Sequence, residues 1–214
     1  MIVRAFSTVT LLATAAMGCA KAEEAPESQR AEPGPQSQAE QTVQAPNTCW
    51  TRNGGGGLGE RASAFDSVMA TVGGQTIKLC YSRPQMKGRT IMGGLVPYGQ
   101  PWRLGANEAT VIHMPASGTV AGVPVAAGSY SLYAVPDAAE WRIFVNRNAQ
   151  RWGIPINDAV RTDDAGSGAV KTENVRDPVE AFTARFDQVT NTSASLVLEW
   201  ERTRVGVPVT LGPQ

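Results

Sequence analysis

Two clusters of residues able to hold an anion stand close together in this chain: Arg83, Lys87 and Arg89 in "SRPQMKGR", then Arg103, Asn107 and Glu108 in "WRLGANEA". Guanidinium forks and an ammonium group can grip a carboxylate or phosphate, and a glutamate can take an arginine bidentately. The same residue types also pair orphan carbonyls in irregular backbone, since buried main-chain groups must find partners. Two readings follow. In one, Arg83 or Arg103 pairs internally with Glu108 and ties down a long crossover; in the other, the cations face a ligand. Aromatic residues sharpen the second reading. Tyr98 and Trp102 sit in the same turn-rich stretch and, with Tyr81, Tyr133 and Trp141, could line a groove for a sugar or peptide. Trp141 and Trp200 lie in clean alternations and are expected in the core instead.

Hydrolytic and metal chemistry have weaker signals. His113 is the lone histidine; with Ser82 or Ser131 and Asp137 it could form a triad, but no GxSxG elbow is present. Glu108 with Glu140, Glu199 or Asp137 could form a glycosidase-like pair of carboxylates, a pairing that any chain with many acids offers. Asp158, Asp163 and Asp164 in "NDAVRTDDAGSG" miss the spacing of a calcium loop and read as a solvated turn. No CxxC pair and no Cys/His cluster stands in the sequence, so neither a zinc site nor any other cofactor is expected. The four-glycine run after Asn53 lacks the GxxxxGK[ST] pattern of a phosphate loop.

The elements that must position these residues read as short strands. Ile77, Leu79 and Tyr81 share one face of "TIKLCY", which follows a Gly-Gly turn and so closes a hairpin. "ATVIHMP" and "SYSLYAVP" supply two more strands, and "EWRIFVN" has apolar content on both faces, as a central strand would. Phe182, Ala184 and Phe186 share a side, as do Leu196, Leu198 and Trp200, with Asn191 and Thr192 suited to the turn between them. No segment has a persuasive helical period. The expected fold is an all-β antiparallel β-sandwich, immunoglobulin-like or jelly-roll-like, with short irregular or helical turns and an open barrel as the nearest competitor.

Upstream, the 214-residue chain changes character. Residues 1–18 read as a secretory signal: an early arginine, an apolar stretch and small residues before Cys19. The run Ala-Met-Gly-Cys resembles a bacterial lipobox, which implies acylation of Cys19 and a membrane anchor. Ala20 after it, lacking an acidic retention signal, points to the outer membrane; a secreted or periplasmic protein cut slightly later is the alternative. Residues 19–59 hold few large apolar groups and read as a flexible linker from the lipid to a β domain at 60–214. Export leaves Cys49 and Cys80 as the pair open to a disulfide, unless Cys80 is simply a small apolar side chain on its strand. The formal net charge is zero, with no basic stripe, zinc finger, helix-turn-helix or RNP motif, which excludes nucleic acid as an expected partner.

"YSRP", "KGR", "LVPYG" and "WRLGANEAT", followed by "AGSYSLYAVP", "EWRIFVN" and "LVLEWERTRVGVPV", resemble the DUF2911 family over most of residues 60–208. The resemblance implies a β-rich exported bacterial domain and brings no established reaction or ligand. Cys80 departs from it, since members more often carry an aliphatic residue before that tyrosine. The function expected is a cell-envelope lipoprotein presenting a noncatalytic module that binds a small polar ligand, a glycan or a partner protein. An envelope hydrolase and a purely structural envelope protein are the alternatives. Metabolic labelling with an alkynyl fatty acid should tag the wild-type chain and miss Cys19→Ala; label retained by that variant removes the lipid assignment.

Overall fold

The structure, a computed structural model, describes residues 47–212. The signal assigned to residues 1–18, lipidation at Cys19 and most of the tether lie outside the described residues.

Among the described residues nine strands carry the fold: β1 (Ala64–Val72), β2 (Gln75–Arg83), β3 (Thr110–Met114), β4 (Gly118–Val120), β5 (Val123–Val125), β6 (Gly128–Pro136), β7 (Glu140–Asn146), β8 (Asp164–Asp187) and β9 (Ser193–Leu211). Every pairing is antiparallel, in the order β1-β2-β3-β6-β7-β8-β9-β4-β5. The fold is therefore all-β and sandwich-like. β1 and β2 are joined by Gly73-Gly74, both at positive φ, the mirror-image turn whose twist matches that of the strands it connects. β7 lies at the centre of the order, as a strand apolar on both faces should.

The two longest strands turn this ribbon into layers. β8 runs 24 residues: its first part pairs with β7, and from Thr172 onward it pairs with β9. Between Asn174 and Val179 the register slips, leaving Pro178 in a bulge, where a residue without an N–H costs no ladder bond. Beyond the bulge β8 comes back over β2. Phe182 meets Tyr81 edge-on at 5.9 Å, and the Ala184 N–H donates to the Tyr81 hydroxyl at 3.1 Å. The core between the layers collects Ile77, Leu79, Ile112, Leu132, Trp141, Ile143, Phe182, Leu196, Leu198 and Trp200, all buried.

Among the described residues, helix is limited to α1 (Asp158–Arg161), capped by the Asn157 side chain, and two 3-10 turns at Arg52–Gly55 and Leu58–Glu60. The segment expected to be a solvated acidic turn is thus part helix and part strand. Its Asp164 is committed, accepting from the Tyr133 hydroxyl at 2.6 Å and the Asn146 amide at 2.8 Å.

Composition places a flexible linker as far as residue 59, but the arm is tied down from Cys49 onward. Cys49 and Cys80 form a disulfide, the Arg52 guanidinium lies 4.2 Å from the Trp152 ring centre, and Arg61 reaches Glu108. The physical reason is cross-linking: composition alone would leave this Gly-rich stretch free, and long-range ties fix it. The arm lies beside β3 on the outer face, where Cys49 and Trp50 border a cleft with Val111 and His113, and all five residues of β3 are buried. The disulfide joins positions 31 apart in sequence. Replacing Cys49 and Cys80 with serine should lower unfolding free energy by about 3.7 kcal/mol in a denaturant titration, as loop-closure entropy requires; an unchanged midpoint would assign the arm's contribution to its other ties.

Candidate functional site

The crossover between β2 and β3, residues 84–109, contains most of the residues marked out by their chemistry, and the structure divides them into two groups. One is an internal network. Glu108 is 3% exposed, and its carboxylate accepts from both terminal nitrogens of Arg61 at 2.6 and 2.9 Å and from the Arg52 N–H at 2.9 Å. The expected partners were Arg83 or Arg103; the arm supplies Arg61 instead. Arg83 turns the other way, donating to the Phe182 carbonyl and the Thr183 hydroxyl and sitting 3.4 Å from Asp66. Asn107 stands at φ 61, with its amide 3.5 Å from the Ser63 carbonyl and its own carbonyl accepting from Gly153 N–H at 2.8 Å. Burial alone would raise the Glu108 carboxyl, but the bonds from Arg61 and Arg52 outweigh it and hold the group below its ordinary value.

The second group faces outward. Lys87, Arg89 and Arg103 line an open cleft of about 370 Å³, together with Leu95, Trp102 and Trp200. No acidic residue lines it. Arg89 is aimed by its own turn, donating to the carbonyls of Gln85 and Met86 at 2.6 and 2.8 Å. The Lys87 N–H is held by the Glu180 carboxylate at 2.9 Å, which leaves the ammonium out of that bond. Arg103 is half-buried, and burial lowers its guanidinium from the usual value. Its stem lies against Gly153, where an added Cβ would come within 2.5 Å of Arg103 Cδ. Among the described residues none of these three cations has a carboxylate ion-pair partner.

Trp102 is anchored by reciprocal main-chain bonds with Ala134 at 2.7 and 2.8 Å. Its ring stacks on Trp200 at 5.8 Å and meets Trp141 and Phe182 edge-on at 5.5 and 5.3 Å. It is thus both cleft wall and lid of the aromatic core. Tyr98 is exposed and lies over Gly93, outside the cleft lining. The groove imagined from five aromatic residues does not assemble: Tyr81, Tyr133 and Trp141 are buried, with Tyr133 stacked on Phe144 at 4.6 Å.

The hydrolytic groupings are not assembled either. His113 Nδ1 meets Ser129 Oγ at 2.7 Å, whereas Ser82 and Ser131 keep their hydroxyls buried and the Asp137 carboxylate accepts from its neighbour's N–H. Glu199 is enclosed by Arg185 and Arg204, so it and Glu108 each serve arginines. Arg61, Asp66 and Trp200 are the participants the sequence did not single out for these sites.

A family model described as a protein of unknown function (DUF2911) matches residues 63–209. No curated protein and no solved structure shows a significant match to the chain.

Removing one partner of a buried pair strands the other. Glu108→Ala should therefore cost about 3–5 kcal/mol of stability, whereas Arg103→Ala, with no paired charge to orphan, should cost no more than about 1 kcal/mol. Because the folded-state Glu108 carboxyl is held low, its contribution is full above the ordinary glutamate value, about 4.3, and is lost as pH falls through the folded value. Unfolding curves from pH 7 down to pH 3 should show a shallower acid loss for Glu108→Gln than for wild type; parallel curves would mean that the pair contributes no pH-dependent stability.

Proposed function

The chain belongs to the DUF2911 family, and from that premise we infer that it is a noncatalytic binding domain whose cleft takes a small anionic ligand with a flat or apolar body. The observation that carries the reading is the lining: three cations, no acid, and the tryptophan pair Trp102 and Trp200. Lys87, Arg89 and Arg103 would take the anionic end, and the ring edges and Leu95 would take the body. An acidic sugar has both features. The lipobox-like run at Cys19 supports placement at the outer membrane, where such a ligand would be met, with the domain carried on a lipid.

A structural role for the crossover is favoured by Glu108 and Arg83, which are turned inward, but not by the three cations of the cleft. The two roles occupy different residues of one loop. A uronic-acid disaccharide and its neutral glucose counterpart, titrated against tryptophan fluorescence, provide the test. The acidic sugar should bind with an affinity that falls as salt rises. Arg103→Ala should weaken it by about tenfold or more, the value of a charge-assisted hydrogen bond, while its melting temperature stays near wild type. Equal binding of the neutral sugar, or full affinity in the Arg103→Ala, Lys87→Ala double variant, would overturn the assignment.

A further inference from the structure

On the outer face of the sheet, away from the residues lining the cationic cleft, the fold brings together the three side chains that the sequence scatters over 65 positions: Cys49, Cys80 and His113. Their two sulfurs and one imidazole nitrogen lie within 4.8 Å of one another. The register explains the meeting. Lys78 pairs with His113 and Cys80 with Val111, so Cys80 and His113 sit diagonally on one face of adjacent strands, and the arm brings Cys49 down onto them. His113 Nε2 is 3.4 Å from Cys80 Sγ, and Nδ1 is oriented by Ser129 Oγ at 2.7 Å.

We propose that reduction of the Cys49–Cys80 bond converts this cluster into a Zn²⁺ site, with both thiolates and His113 Nε2 as ligands. In tetrahedral zinc, a sulfur and an imidazole nitrogen are separated by about 3.5 Å, from bond lengths of about 2.3 and 2.0–2.1 Å. The Cys80 to His113 distance already matches, so only the two sulfurs must move apart. Two thiolates neutralise Zn²⁺, which suits a place where Cys80 and His113 are both buried. Ser129 fills the role of the outer partner that fixes a ligating imidazole. A cleft of about 450 Å³, lined by Cys49, His113, Ser129 and Trp50, gives access and room for a water as fourth ligand.

The arm does not depend on the disulfide alone. Arg61 and the Arg52 N–H on Glu108, and Arg52 over Trp152, hold it within reach after the bond is opened. The chemistry balances with a dithiol reductant, which closes to its own disulfide and delivers two electrons and two protons to the sulfurs; Zn²⁺ then displaces both thiol protons to water. The site belongs to the reduced chain, and reoxidation would expel the metal.

The test uses the full-length chain carrying Cys19→Ser, reduced and freed of reductant without air, then titrated with Co²⁺ as the spectroscopic stand-in for Zn²⁺. The reduced chain should take up one Co²⁺, with sulfur-to-cobalt charge transfer and the visible bands of tetrahedral cobalt, and release it on addition of Zn²⁺. The oxidised chain and a Cys49→Ser, Cys80→Ser variant should show neither signal. Ser129→Ala should weaken binding by about 10- to 100-fold, and His113→Ala by at least as much. Absence of the tetrahedral sulfur spectrum in the reduced chain, or unchanged affinity in His113→Ala, overturns the site. Circular dichroism in parallel covers loss of fold: a reduced chain that unfolds and is not restored by the metal also counts against it, and one that the metal refolds with the same spectrum supports it.

Discussion

One carboxylate holds three parts of the chain in place. Glu108 ends the crossover, forms a bridge with Trp152 in the segment before α1, and receives Arg61 and the Arg52 N–H from the arm. A group this buried is stable as an anion only when its oxygens are filled, and each of its two oxygens accepts from Arg61. The consequences extend in two directions. Because Arg61 is fixed, Ala62 and Ser63 form part of the cationic cleft's wall; because Arg52 is fixed, the start of the arm lies over β3 beside His113. The walls of two separate cavities thus include residues next to ties made to the same carboxylate.

The aromatic cluster plays a comparable part for the crossover. Trp102, Trp141, Phe182 and Trp200 come from the crossover, β7, β8 and β9, and their rings pack at centre distances of 5.3 to 6.0 Å. Such contacts are worth more than burial alone because edges and faces carry opposite partial charge. The crossover is long and has little ladder of its own, so a tryptophan inserted between layers gives it a fixed point. Arg103, one residue on, inherits a defined direction.

The strand content was legible because a period of two is a local property. Ile77, Leu79 and Tyr81 are all buried, and so are Leu196, Leu198 and Trp200, as alternation alone requires. The cations of the site were legible as chemistry, since residue type announces what an arginine can bind. Partnership was not. Arg61 lies 47 positions from Glu108 and Cys80 lies 33 from His113, and no local pattern encodes which distant segment returns to which place. The Gly-rich arm was the hardest part to read: its composition says freedom, while its position is dictated by a cysteine, a main-chain N–H and an arginine acting on groups far along the chain. Reading Arg83 or Arg103 as the partner of Glu108 failed for the same reason, because nearness in sequence stood in for nearness in space.

The disulfide also determines how force would enter the domain. Any pull on the chain upstream of Cys49 passes through a covalent bond to Cys80, within β2, a strand hydrogen-bonded to β1 on one side and β3 on the other. The load is then shared across the sheet, and the arm from Trp50 to Arg61 lies outside its path, as slack. With the bond opened, the same pull would run along the arm and reach the ties of Arg52 to Glu108 and Trp152 and then the Arg61–Glu108 pair, so that a few non-covalent contacts would bear what the sheet had borne before.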